Sequence, residues 1–324
     1  MTATYEPTPQ RPIGSGFDQH STADDVLAGI DLTGRTALVT GGYSGIGLET
    51  TRALAKAGAQ VVVPARRPQT AAEALADIAR TTVEELDLAV LTSVQAFAER
   101  LLDQTTIDLV IDSAGVMACP ETRVGPGWEA QLATNHLGHF ALVNRVWPAL
   151  AEGARVVSVS SMGHLRSGIR WDDLMFETGY DKWAAYGQAK TANVLFAVHL
   201  DRLGQTDERG KGVRAFALHP GGILTPLQRH LPRQEQVEMG WFDKDGKPLA
   251  EFKSPEQGAA TQVWAATSPQ LDGLGGVYCE DAEIAVRWVE DGERRGVRDW
   301  ATDPEQAARL WHLSAELTGV DAFA

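Results

Sequence analysis

The stretch Thr40-Gly41-Gly42-Tyr43-Ser44-Gly45-Ile46-Gly47 decides the fold. It follows a short apolar run, residues 36–40 (TALVT), that reads as a buried strand. It opens residues 45–57, a helical segment with Gly58 as its stop. Gly41 allows a tight turn. Gly45 lets the backbone approach a pyrophosphate, and Gly47 lets the helix pack closely on the sheet. The free N–H groups of the helix start favour phosphate. The spacing is G-x3-G-x-G rather than G-x-G-x2-G, and glycine is abundant, 32 of 324 residues, so a plain glycine turn is the alternative. Strand, turn and helix in this order point to a dinucleotide, with Tyr43, Ser44 and Ile46 in the same loop.

Outward from this loop, strands and helices alternate. Residues 60–63 read as a strand, 68–80 as a helix opened by Pro68, 83–86 as a strand and 93–104 as a helix. Then come a strand at 107–112 (IDLVID), a long helix at 128–150, a strand at 155–160 (RVVSVS) and a helix at 184–203. A strand at 213–218, a helix from Ser254-Pro255 to about Thr267 and a last strand at 276–279 follow. Asp303-Pro304 opens a final helix, with Gly319 after it. Short loops between these elements predict right-handed crossovers. The expected fold is α/β, Rossmann-type and doubly wound, a seven-stranded parallel sheet in a single domain.

Residues 1–30 read as an extended N-terminal arm and a short helix, capped by Ser21-x-x-Asp24; residues 31–324 form the domain. The one long irregular stretch, about 226–253, reads as a substrate loop.

Composition excludes several classes. The 43 acidic residues against 29 basic ones give a net charge of −14, which repels nucleic acid and anionic lipid. Two cysteines, Cys119 and Cys279, are too few for a disulfide framework and lack zinc spacing. Residues 1–12 hold three prolines and no apolar run, unlike a signal peptide, and no window predicts a membrane span. A cytoplasmic location is expected. His136 and His139 stand at i, i+3 without further ligands, so no metal site is expected.

Four further groups carry chemistry. Arg66 and Arg67 follow the second strand, where an NAD enzyme usually has an acid for the adenosine ribose; two guanidiniums suit a 2′-phosphate, so NADP(H) is favoured over NAD(H). A solvated basic pair is the other reading. Tyr186-Gly-Gln-Ala-Lys190 puts a phenol and an ammonium on one helix face, where the ammonium is expected to lower the phenol pKa. Ser160-Ser161 ends the fifth strand, on the side where ligands bind, though such a pair also serves as a cap. Asn135 sits inside a helix, an unfavourable place that invites a polar relay or a local bond.

In this order the motifs resemble the short-chain dehydrogenase/reductase family, over about residues 32–290. Asn135-His-Leu-Gly-His-Phe140, Val159-Ser-Ser-Met-Gly-His164 and Gln257-Gly-Ala-Ala-Thr261 resemble its retinol-dehydrogenase-like branch. The resemblance implies strand order 3-2-1-4-5-6-7. It implies Tyr186 as general acid/base and Lys190 as the group that tunes it and holds the nicotinamide ribose. Ser161 would orient the carbonyl, with Ser160 as runner-up, and Asn135 would hold a relay water. Asp87 and Leu88 would contact adenine, Ala114 and Gly115 the ribose side. Pro220, Gly221, Ile223 and Thr225 would line the nicotinamide end. Ser113 stands where the family usually has Asn and cannot reproduce both amide bonds.

The expected function is reduction of a ketone or aldehyde by NAD(P)H, or oxidation of the matching alcohol. The substrate is expected to be bulky and lipophilic, held by Ser161 and Tyr186. Leu224, Leu227, Trp241 and Phe242, and Met117, Trp171, Met175 and Phe176 across from them, are the expected walls, with Trp183 in the same long stretch between Ser161 and Tyr186. A non-catalytic NADP-binding sensor or scaffold is the alternative, and a dehydratase or epimerase is a third. A homo-oligomer paired through the long helices is also an expectation of the resemblance.

Overall fold

In the computed structural model, which describes residues 5–102, 105–290, 292 and 294–324, the apolar runs assemble into one eight-stranded sheet. The strands are β1 (Thr36–Thr40), β2 (Gln60–Ala65), β3 (Thr81–Glu85), β4 (Ile107–Asp112), β5 (Leu150–Val159), β6 (Arg214–His219), β7 (Val277–Glu280) and β8 (Glu283–Ile284). Their spatial order is 3-2-1-4-5-6-7-8. The first seven run parallel, and β8 returns antiparallel to β7. The expected seven-stranded sheet is therefore corrected to eight. The hairpin turns on Asp281 and Ala282, at φ 53° and 54°, and a two-residue strand leaves no periodic trace.

Side chains of alternate residues split between two faces. Val39, Ile111, Val157 and Phe216 face α1 (Gly45–Lys56) and α6 (Pro255–Thr267), where Leu54 and Trp264 are fully buried. Leu38, Val110, Val156 and Ala215 face the other layer, with Phe97 of α3 (Leu91–Leu102), Phe140 of α4 (Gly138–Val146) and Val194 of α5 (Lys182–Thr206). The short α2 (Pro68–Ala74) links β2 to β3. Among the described residues no helix is long and apolar enough to cross a membrane.

Several expected boundaries move. The helix expected at 128–150 begins as a two-residue strand, Trp128–Glu129, paired with Arg123–Val124. It widens into a π-helical turn at Ala133–Leu137, centred on Asn135, before α4, and a 3-10 turn with Pro148 delivers Leu150 into β5. The helix expected at 68–80 stops at Ala74, because Arg80 turns at φ 62° to start β3. The end expected at Gln104 lies outside the described residues. The capping box sits one residue later than read, on Thr22 and Asp25. From residue 5 onward the N-terminal segment is tied down along the sheet edge. Gln10 exchanges bonds with Tyr278 and Ala285, and the Glu283 carboxylate accepts the N–H groups of Ile13, Gly14 and Ser15.

A last helix, α7 (Pro304–Thr318), lies against α5. Trp311 stacks on Phe196, 5.8 Å between centroids and 2° between planes, and meets Phe140 edge-on at 4.8 Å. Ser314 bonds His136 at 2.8 Å, which gives that buried imidazole a structural partner.

At the end of β4, Asp112 is fully buried, and neither carboxylate oxygen has a hydrogen-bond partner. The nearest cationic candidate, His139 Nε2, is 3.9 Å away, and burial holds that ring neutral, with its pKa down to about 4. Desolvation pushes the Asp112 carboxyl well above the ordinary value. The folded state thus keeps a proton that the unfolded chain releases above about pH 4, and stability falls as pH rises from there toward the folded pKa. Asp112→Asn removes that slope. Thermal unfolding should show the variant gaining stability relative to wild type at pH 8 compared with pH 4.5; equal differences at both pH values would contradict the neutral carboxyl.

Candidate active site

The register sets the site. Thr40 pairs with Asp112, and Asp112 with Ser158, so β1, β4 and β5 end at one level. Gly41, Ser113, Ser160 and, after β6, Pro220 emerge around one cavity of about 730 Å³. Every residue expected to bind the cofactor lines it, as do Ser161 and Tyr186, from Arg66 and Arg67 at one end to the phenol at the other; Asn135 does not, nor does Leu224 of the expected walls.

The glycine loop is shaped by close approach. Gly41 adopts φ +68°, and a Cβ there would sit 3.0 Å from Ala114 Cα. A Cβ on Gly47 would sit 2.3 Å from the Gly41 carbonyl oxygen, so only glycine lets α1 reach the turn. Ser44 is the N-cap of α1, and its side chain makes no cap bond, which leaves the first N–H groups unspent by the chain. Arg66 and Arg67 are exposed and have no carboxylate partner among the described residues. At Ser113, where the family usually has Asn, the backbone is held by the Thr40 side chain. Its hydroxyl oxygen accepts the N–H groups of Ser113 and Ala114, each at 3.0 Å, and its proton faces His139 Nε2 at 2.9 Å.

Asp181 caps α5 through the Ala184 N–H, and Tyr186 and Lys190 follow on the buried face. The Tyr186 ring occupies the space a Cβ of Gly163 would need, 2.7 Å from Cε1. Lys190 Nζ donates to the Val159 carbonyl at 2.8 Å and lies 5.7 Å from the Tyr186 ring centroid. Here the expectation of a lowered phenol is corrected. Burial dominates, pushing the phenol up to about 12, with a hydrogen bond to Ser161 acting the other way. Burial likewise drives the Lys190 amine down to about 7. Tyr186 is therefore a firmly protonated donor.

Ser160 and Ser161 separate cleanly. The Ser160 hydroxyl donates to the Lys190 carbonyl at 2.7 Å, a structural bond. Ser161 Oγ accepts the Gly163 N–H at 3.0 Å, and Gly163 lies between that hydroxyl and the Tyr186 ring. Asn135 is spent on the backbone of Val116, accepting its N–H at 2.8 Å and donating to its carbonyl at 2.9 Å.

Beyond Tyr186 the walls are apolar. Met117, Ala118, Tyr186 and Leu231 pack with Leu227, Trp183 and Trp241. The stretch expected as an irregular loop contains two short helical segments, and the rest is irregular. Thr225 and Gln228 form a capping box, and Arg233–Glu238 is a short helix. Glu235 of that helix bonds Lys182 and the Trp183 indole at the start of α5. Trp171, Met175 and Phe176 do not reach the cavity. Arg309 covers Trp171 at 4.0 Å and Arg170 covers Phe176 at 4.2 Å. Phe242 is buried, stacked on Phe252. Trp183, one helical turn before Tyr186 in the stretch expected as a wall, does line the cavity. Sequence reasoning missed Met162, Met239 and Phe252 as wall residues.

Comparison with known proteins agrees with this geometry. Residues 35–236 match the short chain dehydrogenase family. The chain is a short-chain dehydrogenase/reductase. It is 47% identical over 300 residues to a probable oxidoreductase of Streptomyces lividans, covering 89% of this chain and 98% of that one. It is 35% identical to mouse retinol dehydrogenase 12, covering 90% and 88%. A solved structure of an uncharacterized Mycobacterium paratuberculosis protein superposes with a TM-score of 0.71, at 32% identity, covering 94% and 99%. The angucycline C-6 ketoreductase LanV, solved with NADP, gives 0.59 at 25% identity, covering 77% and 94%. This short-chain dehydrogenase/reductase is accordingly an NAD(P)-dependent oxidoreductase acting on a small molecule.

Proposed function

We propose that the enzyme reduces a bulky, lipophilic ketone or aldehyde with NADPH, or oxidises the matching alcohol. The observation that carries this reading is the single cavity joining two unpaired arginines to a buried phenol and then to an apolar chamber. The fit to a dinucleotide rests on the uncapped α1 start, the glycine approach at Gly41 and Gly47, and the free guanidiniums of Arg66 and Arg67. In this reading the α1 N–H groups hold the pyrophosphate, and Arg66, with Arg67 second, holds the 2′-phosphate. Asp87 and Leu88 flank the adenine. Ala114 and Gly115 back the ribose, and Pro220, Gly221, Ile223 and Thr225 line the nicotinamide end. The cofactor supplies the hydride.

The protein supplies the proton. Tyr186 and Ser161 donate to the substrate oxygen where negative charge develops, and Tyr186 releases its proton to it. Its raised pKa suits the reductive direction, in which the phenol enters protonated. Lys190 stands behind it, with an amine that titrates near neutral pH. The Asn135 side chain acts on the Val116 backbone, so in this reading it braces the site wall next to Gly115 and Lys190 rather than binding a water. The 226–253 segment closes over substrate, hinged between the Ile223–Lys253 bridge and the Glu235 latch.

Tyr186→Phe should lower kcat by about 10²–10⁴-fold while NADPH still binds; turnover within a few-fold of wild type would overturn the acid assignment. Arg66→Ala should weaken NADPH by about one to two decades and leave NADH unchanged, as read by titration. Equal loss for both cofactors would make that arginine structural. Finally, kcat/KM for a ring-containing hydrophobic ketone should exceed that for a small polar keto acid by at least about tenfold. A preference for the acid would overturn the chamber assignment.

A further inference from the structure

We propose that His164 is a positioning residue for the Ser161 hydroxyl, an inference that rests on the Ser161 and Tyr186 roles above. His164 lies three residues after Ser161, in the 3-10 turn Met162–Arg166, and is fully buried. Its Nδ1 is 2.7 Å from the Ser161 carbonyl oxygen. A carbonyl only accepts, so Nδ1 carries the ring proton. Nε2 is then an acceptor, and it faces the Arg298 N–H at 3.4 Å. Both nitrogens are thus assigned in one neutral tautomer, and burial keeps the ring neutral.

The ring is held from several sides. It lies 4.9 Å from the Tyr278 ring on β7, whose hydroxyl is 3.4 Å from Nδ1. The His164 carbonyl accepts from Thr191 of α5, the residue after Lys190, at 3.3 Å, and from the Trp300 indole at 3.4 Å. One buried residue therefore connects the serine turn to the catalytic helix, the last parallel strand and the segment leading to α7.

The consequence falls on Ser161. Its carbonyl is pinned twice, by the His164 ring and by the His164 N–H at 3.1 Å. Two bonds to one carbonyl fix the peptide plane after Ser161. From that plane the chain turns through Met162, so that the Gly163 N–H meets Ser161 Oγ and Gly163 lies between the hydroxyl and the Tyr186 ring. The His164 N–H alone leaves the plane free to rock about the Ser161 ψ angle. The imidazole touches neither substrate nor cofactor cavity; its effect on turnover passes through Ser161.

Two substitutions separate the ring's two bonds. In His164→Asn the amide nitrogen takes the place of Nδ1 and keeps the donation to Ser161. In His164→Gln the amide oxygen reaches the place of Nε2 and keeps only the acceptor for Arg298. With NADPH and a hydrophobic ketone, His164→Asn should hold kcat within about threefold and His164→Gln should lower it at least about tenfold, with KM for NADPH unchanged in both. Adding His164→Gln to Ser161→Ala should cost nothing further in kcat. Equal kcat for the Asn and Gln variants, or an additive loss on Ser161→Ala, would overturn the proposal. The underlying reading fails separately: if Ser161→Ala and Tyr186→Phe leave turnover intact, the serine and tyrosine roles are wrong, whatever the His164 variants do.

Discussion

The Lys190 amine donates to the carbonyl of Val159, the last residue of β5, and the site is built around that bond. It ties α5 to the sheet at the point where the strand ends. Ser160 reinforces it from the other side, donating to the Lys190 carbonyl, and Asn193 adds a bond to the same Val159 oxygen. The amine sits away from water, and an ammonium there loses hydration that one carbonyl does not fully replace. Its pKa therefore falls to about 7, and the neighbouring phenol rises for the same reason. Both shifts come from exclusion of water more than from attraction between the two groups. Positioning and protonation state share one cause, the depth at which α5 docks.

That depth depends on small residues elsewhere. Gly163 yields to the Tyr186 ring, and Gly187 on α5 faces the Gly163 carbonyl, where a Cβ would approach to 2.8 Å. At the other end of the cavity Gly47 and Gly41 let α1 come down on the first turn. The two helices that frame the cavity are thus lowered onto the strand ends by absent side chains. The buried polar groups between them are nearly all paired. Thr40 serves Ser113, Ala114 and His139 at once, whereas Thr51 Oγ1 on α1 has no partner, and Asp112 has none on either oxygen, a carboxyl that the fold tolerates as a neutral acid.

Much of this was legible in the sequence, and the division has a physical basis. The glycine loop, the first seven strands and the Tyr186–Lys190 pair are local patterns, readable from spacing alone. The parallel sheet followed from the crossover connections, and its strand order from the family resemblance. What stayed hidden depends on contacts between distant segments. Trp171, Met175, Phe176 and Trp183 look alike as wall candidates in a list of loop residues, but only Trp183 lines the cavity; Arg309 covers Trp171 and Arg170 covers Phe176, while Phe252 from a distant segment lines it unforeseen. Asn135 stands out as a helix-interior polar residue, yet its bonds run to Val116, nineteen positions earlier. The phenol shift was misread in direction because spacing reveals the neighbouring ammonium and says nothing about burial.

The C-terminal helix has a consequence for how this molecule meets others. The outward face of α5, with Phe196 and His199, is covered by α7 through Trp311, and Phe323 of the tail closes over both Trp311 and Trp147. A chain that leaves this apolar face bare needs a second copy to shield it. This one shields it with its own last turns, so a subunit approaching the long helices from that side meets α7 first.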